Sequence, residues 1–147
     1  MSLPSTRLGL KSVAALVVDD NPQALDVLSA ILMGFGVNKI TRCQSAAEAK
    51  TALAKQMFDL IIVDWEMPEQ DGLSLVRHVR QDASGPNFTA PIIMVSADTH
   101  QARVEAGRDQ GANYTVAKPV SPTVMLERVL WVARSQRGFV SGETYCG

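Results

Sequence analysis

Several reactive side chains of this sequence directly follow short apolar runs. One run leads into Asp19 and Asp20, and later runs lead into Asp64, Ser96 and Lys118. Three carboxylates held together repel one another and raise their pKa values unless a cation offsets them. A hard divalent cation such as Mg²⁺ suits a site built from a few carboxylates, a carbonyl oxygen and water. If the fold brings these residues together, the sequence predicts a metal site.

A hydroxyl and an ammonium group beside such a metal are suited to hold a phosphoryl group. In phosphoryl transfer, catalysis depends on positioning and on cationic and hydrogen-bond stabilisation of the phosphoryl oxygens. Ser96 and Lys118 supply these two elements. Taken singly, Ser96 is also typical of a turn and Lys118 of an exposed surface. A carboxylate can itself be the nucleophile and form an acyl phosphate, so the set predicts a phospho-aspartate site.

The apolar runs alternate with segments of helical period, which indicates a parallel sheet with crossover helices. The runs lie at residues 13–18, 39–43, 60–63, 92–95 and 115–117. The first, third and fourth are apolar throughout, as expected of central strands covered on both faces. The alternation predicts a doubly wound α/β sandwich, in which ligands bind at the carboxyl ends of the strands.

The helical segments begin at recognisable capping residues. Asn21 with a following proline predicts the start of the first helix, and Ser45 with Glu48 forms the pattern of a capping box. The fourth segment, 99–110, has few apolar residues, so we expect it to be weakly attached to the sheet. The fifth carries an apolar arc that includes Trp131 and is wider than one buried stripe needs. Core packing and a partner surface both remain open for that arc.

Composition describes an ordinary globular domain and excludes several classes of protein. The chain has 147 residues, of which 46% are hydrophobic, and its 14 basic and 15 acidic residues nearly cancel. This balance argues against disorder and against direct nucleic-acid binding. Cys43 and Cys146 are too few for a disulfide framework, which favours a reducing compartment. Neither a signal peptide nor a membrane-spanning run is present, so we expect a cytoplasmic protein.

Four segments, in this order, resemble motifs of the receiver domain of two-component response regulators. They are VVDDN at 17–21, IVDWEMPEQDG at 62–72, IIMVSA at 92–97 and GANYTVAKP at 111–119. The resemblance is to the stand-alone, chemotaxis-regulator-like type. It implies a flavodoxin-like, five-stranded parallel sheet of strand order 2-1-3-4-5 with helices on both faces. We place the receiver domain at residues 12–134, between an extension at 1–11 and a tail at 135–147.

The resemblance also implies a role for each matching residue of the acidic cluster. Asp64 matches the phosphoacceptor, which takes its phosphoryl group from a histidine kinase or a histidine phosphotransfer protein. Asp20 and Asp64 match the direct ligands of Mg²⁺. Asp19 matches the ligand that acts through water, and Glu66 the one that acts through its backbone carbonyl.

Lys118 and Ser96 match the residues that bind the phosphoryl group itself. Lys118 corresponds to the lysine that pairs with it, and the bond from Lys118 to Pro119 is typically cis in the family. Ser96 corresponds to the hydroxyl that moves toward a phosphoryl oxygen. Such a move would pull the weakly attached fourth helix toward the site, and phosphorylation would shift a pre-existing equilibrium.

The sequence departs from the family pattern at the aromatic residue that usually stands three positions before the lysine. Thr115 stands there, and the neighbouring Tyr114 points to the opposite face of a regular strand. Two alternatives follow. Either a strand bulge turns Tyr114 into the usual aromatic place, or the output depends on the fourth helix and its loops.

The resulting hypothesis is a Mg²⁺-dependent signalling module that catalyses its own phosphorylation and dephosphorylation. Its phosphorylation would control binding to a downstream protein, and a homodimer is one possibility. The alternatives are a phosphorylation-independent adaptor that docks through the fifth helix and a phosphate sink. A hydrolase with an aspartyl-phosphate intermediate is disfavoured because Glu66 stands where its second aspartate is expected. The 13 residues after 134 are too few for a helix-turn-helix or kinase module, which favours a stand-alone receiver or a chain cut at a domain boundary.

Overall fold

The structure, a computed structural model, describes residues 10–67 and 70–140, without the side chains of Lys11 and of residues 133–140. A short 3-10 turn at Leu10–Ser12 precedes five strands and five helices that alternate along this part of the chain. The strands are β1 Ala14–Val18, β2 Lys39–Cys43, β3 Leu60–Asp64, β4 Ile92–Ser96 and β5 Tyr114–Ala117. The helices are α1 Pro22–Gly34, α2 Ala46–Lys55, α3 Gly72–Gln81, α4 Gln101–Gln110 and α5 Pro122–Val140. Cys146 and most of the predicted extension lie outside the described residues.

The strands form one parallel sheet of order β2-β1-β3-β4-β5, which confirms the predicted fold class and strand order. The strand boundaries differ from the predicted ones by one residue at several ends. Asp64 and Ser96 themselves belong to β3 and β4, because Asp64 pairs with Val95 and Ser96 with Ala117. The two reactive side chains are therefore placed by the ladder of the sheet and not by a flexible loop.

Alternate residues of the central strands supply two cores, one on each face of the sheet. One core holds Leu16, Val63 and Met94 and packs against α2, α3 and α4. The other holds Val17, Ile62 and further residues that pack against α1 and α5. Every residue of β3 and β4 is buried, as predicted from their apolar sequence. The two central strands that lead to Asp64 and Ser96 are thus packed on both faces.

The helix caps follow the predicted positions, with one difference. The Asn21 side chain accepts hydrogen bonds from the backbone of Gln23 and Ala24, so the carboxylates before it are not needed as caps. At α2 the Ser45 hydroxyl accepts from the Glu48 backbone, as a capping box predicts. The Glu48 carboxylate, however, accepts from the backbone N–H of Gln44, one residue before the expected donor.

The last two helices can each be compared with a prediction from the sequence. α4 has Gly107 as its buried residue and no side-chain cap, in keeping with the weak attachment predicted for it. α5 continues to Val140, past the boundary at 134 that we placed from sequence. None of the helices in the described part of the chain combines the length and apolarity needed to cross a bilayer.

Candidate functional site

Backbone hydrogen bonds beyond the strand ends fix the residues of the site. The N–H of Trp65 donates to Val95 at 2.8 Å, and the N–H of Lys118 donates to Ser96 at 2.9 Å. On the other side, the N–H of Asp19 donates to the carbonyl of Cys43 at 3.0 Å. These bonds continue the sheet's pairing by one residue, so adjacent chain segments leave the sheet side by side at its carboxyl edge.

Three carboxylates meet at this edge, as the sequence predicts. Asp19, Asp20 and Asp64, hereafter the acidic triad, each offer an oxygen that lies within 4.8 Å of the other two. Asp19 and Asp64 are buried, whereas Asp20 is exposed. The triad therefore opens to solvent on one side, and its two other members are shielded from water.

Lys118 is the cation that faces the triad. Its Nζ lies 2.8 Å from Asp64 Oδ1 and 3.6 Å from Asp19 Oδ2. Burial lowers the pKa of Lys118, but the surrounding carboxylates outweigh this and hold it above its ordinary value. The peptide bond that follows, to Pro119, is cis, as the resemblance implies. One ammonium against three carboxylates leaves the cluster two negative charges in excess.

Burial and the neighbouring charges both affect the protonation of Asp64. Burial, together with the neighbouring Asp19, raises the pKa of Asp64 from 3.8 to about 6 in spite of the hydrogen bond and charge of Lys118. Asp19 Oδ2 and Asp64 Oδ1 are buried and, apart from the ion pair with Lys118, make no hydrogen bond. Carboxylate oxygens that converge from one exposed and two buried residues fit a small, hard cation such as Mg²⁺.

Ser96 lies beside the triad, but its hydroxyl is engaged elsewhere. It lies 2.7 Å from a carboxylate oxygen of Glu66 and 2.9 Å from the backbone carbonyl of Asp98, two alternative acceptors for its single proton. The Glu66 carboxylate also accepts from the backbone of Ala97 at 3.3 Å. The side chain of Glu66 therefore points to the loop after β4. The metal-binding role implied for its backbone carbonyl stays a prediction.

Arg103, in the first turn of α4, completes this second group, and the sequence does not single it out. Its Nη1 donates to Glu66 Oε2 at 2.5 Å and to Ser96 Oγ at 3.2 Å. Burial raises the pKa of Glu66, but the hydrogen bonds from Ser96 and Ala97 and the charge of Arg103 outweigh burial and bring it below its ordinary value. No local motif marks an arginine seven residues after Ser96, so only the fold reveals this contact.

The register of β5 excludes the first of the two alternatives for Tyr114 and Thr115 and leaves the second as a prediction. Ile93 pairs with Tyr114 and Met94 with Thr115 without interruption, so no bulge turns Tyr114 toward the site. Tyr114 packs on the opposite face, edge-on to the ring of Trp131 at a centroid distance of 5.9 Å. The first alternative is therefore wrong, because the side chains of a regular strand alternate between faces.

The buried ring of Trp65 lies on the Thr115 face instead. A Cβ placed on Gly107 would lie 3.2 Å from the Trp65 ring, 3.3 Å from the Thr115 hydroxyl and 3.4 Å from the Met94 sulfur. These side chains thus converge on α4 at its one buried residue. The indole of Trp65, the residue that follows Asp64, therefore packs between the end of β3 and α4.

Comparisons with known families and proteins all match response regulator receiver domains or two-component signalling proteins. The model of the family described as response regulator receiver domain matches residues 15–130. The chain is 37% identical over 111 residues to the two-component response regulator ARR2 of Arabidopsis thaliana, covering 74% of this chain and 16% of that protein. It is 31% identical over 139 residues to the sensory/regulatory protein RpfC of Xanthomonas campestris, covering 94% of this chain and 19% of that protein. The chain thus spans less than a fifth of either of these relatives.

Solved structures agree with the sequence relatives. A putative response regulator from Chloroflexus aurantiacus superposes with a TM-score of 0.76 at 32% identity, covering 83% of this chain and 98% of that one. The chemotaxis protein CheY4 of Vibrio cholerae gives 0.75 at 28% identity, covering 82% and 98%. The receiver domain of the histidine kinase CKI1 from Arabidopsis thaliana, solved with Mg²⁺, gives 0.71 at 26% identity, covering 81% and 92%.

Proposed function

This chain belongs to the response regulator receiver domains, the phosphorylation-based signalling modules of two-component systems, and we propose that Asp64 is its phosphoacceptor. The observation that carries the proposal is the buried carboxylate of Asp64 at the end of β3, 2.8 Å from the ammonium of Lys118. Its neighbour Asp19 is also buried and carries an unsatisfied oxygen. We propose a histidine kinase or a histidine phosphotransfer protein as the donor.

In the proposed reaction a carboxylate oxygen of Asp64 attacks phosphorus. The new O–P bond forms as the P–N bond of the phosphohistidine breaks, and the bonding electrons return to the imidazole nitrogen. With its pKa at about 6, Asp64 is mostly ionised at neutral pH and able to attack. In this proposal Lys118 holds a phosphoryl oxygen, and the contact of its ammonium with Asp64 supports that role. After transfer, the ammonium pairs with the phosphoryl group that Asp64 carries.

Asp19, Asp20 and Asp64 are the residues that would hold Mg²⁺. The bound ion would supply positive charge to the phosphoryl oxygens and offset the repulsion within the triad. The convergence of their oxygens within 4.8 Å supports this assignment, as do the two buried oxygens that have no partner except Lys118. In this proposal phosphorylation controls binding to a downstream protein, and a cytoplasmic location stays a prediction.

The mass of the intact protein after incubation with acetyl phosphate tests the assignment. We expect one phosphoryl adduct on the wild type that requires Mg²⁺ and is absent in Asp64→Asn. Asp109→Asn is the matched control, because it removes the same charge from an exposed position of α4, and it should form the adduct like the wild type. An adduct that persists in Asp64→Asn, or none on the wild type, would contradict the proposal.

A second candidate function is phosphorylation-independent binding through α5, which the exposure of Trp131 favours. Its side chain is 53% exposed, and Arg128 lies over the Tyr114 ring at 4.7 Å beside it. Exposed tryptophan, tyrosine and arginine are enriched at binding hot spots. Self-association that is equal in the wild type and Asp64→Asn but lost in Trp131→Ala, measured by sedimentation, would favour this alternative. A monomeric wild type would count against self-association through this surface.

A further inference from the structure

Beside the acidic triad lies a separate set of contacts, hereafter the Arg103 network, that joins Glu66, Ser96, Asp98 and Arg103. Arg103 Nη1 contacts both Glu66 and Ser96, and its Nε lies 3.7 Å from a carboxylate oxygen of Asp98. The backbone N–H of Asp98 donates to the Ser96 hydroxyl at 3.0 Å. The network connects the end of β4 to the first turn of α4.

Within this network the hydrogen-bonding capacity of the Ser96 hydroxyl is full. A hydroxyl donates one hydrogen bond and accepts up to two. Asp98 N and Arg103 Nη1 fill the two acceptor positions, at 3.0 and 3.2 Å. The single proton is shared between Glu66 and the Asp98 carbonyl, as described above. Ser96 can therefore donate to another group, such as a phosphoryl oxygen on Asp64, only by leaving partners it already has.

Arg103 itself is held from two sides. Its guanidinium carbon lies 4.6 Å from the centroid of the Trp65 ring, which is a cation–π distance. Trp65 is buried and directly follows Asp64, so it cannot move independently of the end of β3. Glu66 and Asp98 neutralise the guanidinium on its other side. A planar, always charged group held in this way positions its partners more firmly than a lysine would.

We propose that Arg103 is a positioning residue that holds Ser96 and Glu66 in the unphosphorylated arrangement. Phosphorylation of Asp64 then acts on α4 by breaking the contact between Arg103 and Ser96. The inference rests on the proposed function of Asp64. It also gives a route for output that does not need an aromatic residue at Thr115. α4 is suited to respond, because Gly107 is its buried residue and its N-terminus lacks a side-chain cap.

The rate of phosphorylation is the first test. Arg103→Met keeps a long apolar side chain against Trp65 but removes the hydrogen bonds to Glu66 and Ser96 and the positive charge. Without them Ser96 and Glu66 are held less firmly, so the state in which Ser96 turns to the phosphoryl group is more populated, and we expect adduct formation from acetyl phosphate and Mg²⁺ to be about fivefold faster. Arg108→Met, on an exposed position of the same helix, is the matched control and should keep the wild-type rate. Equal rates in the two variants would overturn the role of Arg103.

The emission of Trp65 is a second readout, which a purely structural role of Arg103 would not move in step with phosphorylation. In a Trp131→Phe background, we expect phosphorylation to change the emission because Arg103 leaves the indole. In Arg103→Met the unphosphorylated protein should already show most of that change, and phosphorylation should add little. An emission response as large in Arg103→Met as in the parent would contradict the proposal.

The failure of this inference is distinguishable from failure of the proposed function. A wild type that takes no phosphoryl group overturns both. A wild type that is phosphorylated on Asp64, with Arg103→Met no faster than Arg108→Met, overturns the inference alone. If Arg103→Met does not fold, Glu66→Gln weakens the same ion pair from the other side and should also speed adduct formation, whereas an unchanged or slower rate in Glu66→Gln would count against the network.

Discussion

Two carboxylate–cation groups lie next to each other at the carboxyl edge of the sheet, and they differ in how well they are satisfied. In the acidic triad, one lysine faces three carboxylates, and the buried oxygens Asp19 Oδ2 and Asp64 Oδ1 have no partner except this lysine. In the Arg103 network, the Glu66 carboxylate accepts from a hydroxyl, a backbone N–H and a guanidinium. The difference is also seen in the pKa values, raised for Asp64 and lowered for Glu66.

The comparison shows how one edge of a sheet combines ligand binding with conformational control. A group with excess negative charge gains most from an added cation, because its charges have not yet been compensated. A satisfied group gains nothing from a ligand and instead stabilises one arrangement of the chain. The Ser96 side chain belongs to the second group, and its backbone carbonyl accepts from the N–H of Lys118 in the first, so Ser96 is the residue through which binding at one can disturb the other.

The largest effect on this comparison is expected from Gly72, which packs against the backbone beneath the triad. A Cβ at Gly72 would lie 2.2 Å from the carbonyl oxygen of Asp64 and 2.8 Å from Cγ1 of Val63. Gly72→Ala must therefore displace the end of β3, and we expect a loss of about 2–3 kcal/mol in the free energy of unfolding measured in urea. Mg²⁺ binding should weaken at the same time, since the position of Asp64 shifts.

Gly34→Ala is the control for this prediction, because no atom lies within 4 Å of a Cβ placed on Gly34, near the end of α1. It should be neutral or stabilise by about 0.5 kcal/mol through the better helix propensity of alanine. Wild-type stability and Mg²⁺ affinity in Gly72→Ala would show that the triad does not depend on this close backbone contact.

A smaller effect of opposite sign is expected when the charge of Asp64 is removed. Because its folded pKa of about 6 exceeds the ordinary 3.8, ionising Asp64 costs stability as pH rises from about 4 to 6, and the cost persists above that range. The pKa of about 6 already includes the attraction to Lys118, so Asp64→Asn should stabilise the protein by about 2 kcal/mol at pH 7 with chelator present. Urea unfolding at pH 7 and pH 4 measures it.

The gain in Asp64→Asn should disappear near pH 4, and added Mg²⁺ should stabilise the wild type but not the variant. Asp109→Asn should change the stability by less than about 0.5 kcal/mol at either pH. A loss of stability in Asp64→Asn at pH 7 would mean that the ion pair with Lys118 outweighs the desolvation of the carboxylate.

The smallest effect is expected at Glu66, with the sign reversed again. Its pKa is lowered, so its contribution is stabilising above the ordinary value of 4.5 and is lost as pH falls through the lowered pKa. The pair with Arg103 is partly exposed and screened by solvent, so Glu66→Gln should cost only about 0.5 kcal/mol at pH 7. Urea unfolding of Glu66→Gln beside Glu127→Gln, an exposed control on α5, measures it. A stabilising Glu66→Gln would contradict the contrast between the two groups.

The acidic triad could be predicted from the sequence because its geometry follows from topology. Once the apolar runs are read as parallel strands, their carboxyl ends must meet, and Asp19, Asp20, Asp64 and Lys118 meet with them. The strand order could be predicted from the resemblance alone, and it is confirmed. Proximity between residues far apart in sequence can thus be predicted when those residues lie at the ends of regular strands.

The Arg103 network could not be predicted, because it depends on side-chain directions in a loop and on the exact placement of a helix. The resemblance implies that Glu66 is a ligand through its backbone carbonyl, but nothing in the sequence shows that the side chain turns to Ser96. The predicted capping box of Ser45 and Glu48 shows the same limit on a smaller scale, since its return bond goes to Gln44. Contacts that a rotamer decides are not encoded in spacing.

Trp65, Gly107 and Thr115 pack against one another, so the sizes of these three residues depend on each other. An added Cβ on Gly107 would already be only 3.2 Å from the indole and 3.3 Å from the threonine hydroxyl. A tyrosine or phenylalanine in place of Thr115 would need space that the indole occupies, and interiors packed to crystal-like density do not hold both. The large side chain can stand after the phosphoacceptor or on β5, but not at both places. Among proteins of this architecture, we therefore expect these three positions to change together, with a smaller residue after the aspartate wherever β5 carries the aromatic ring.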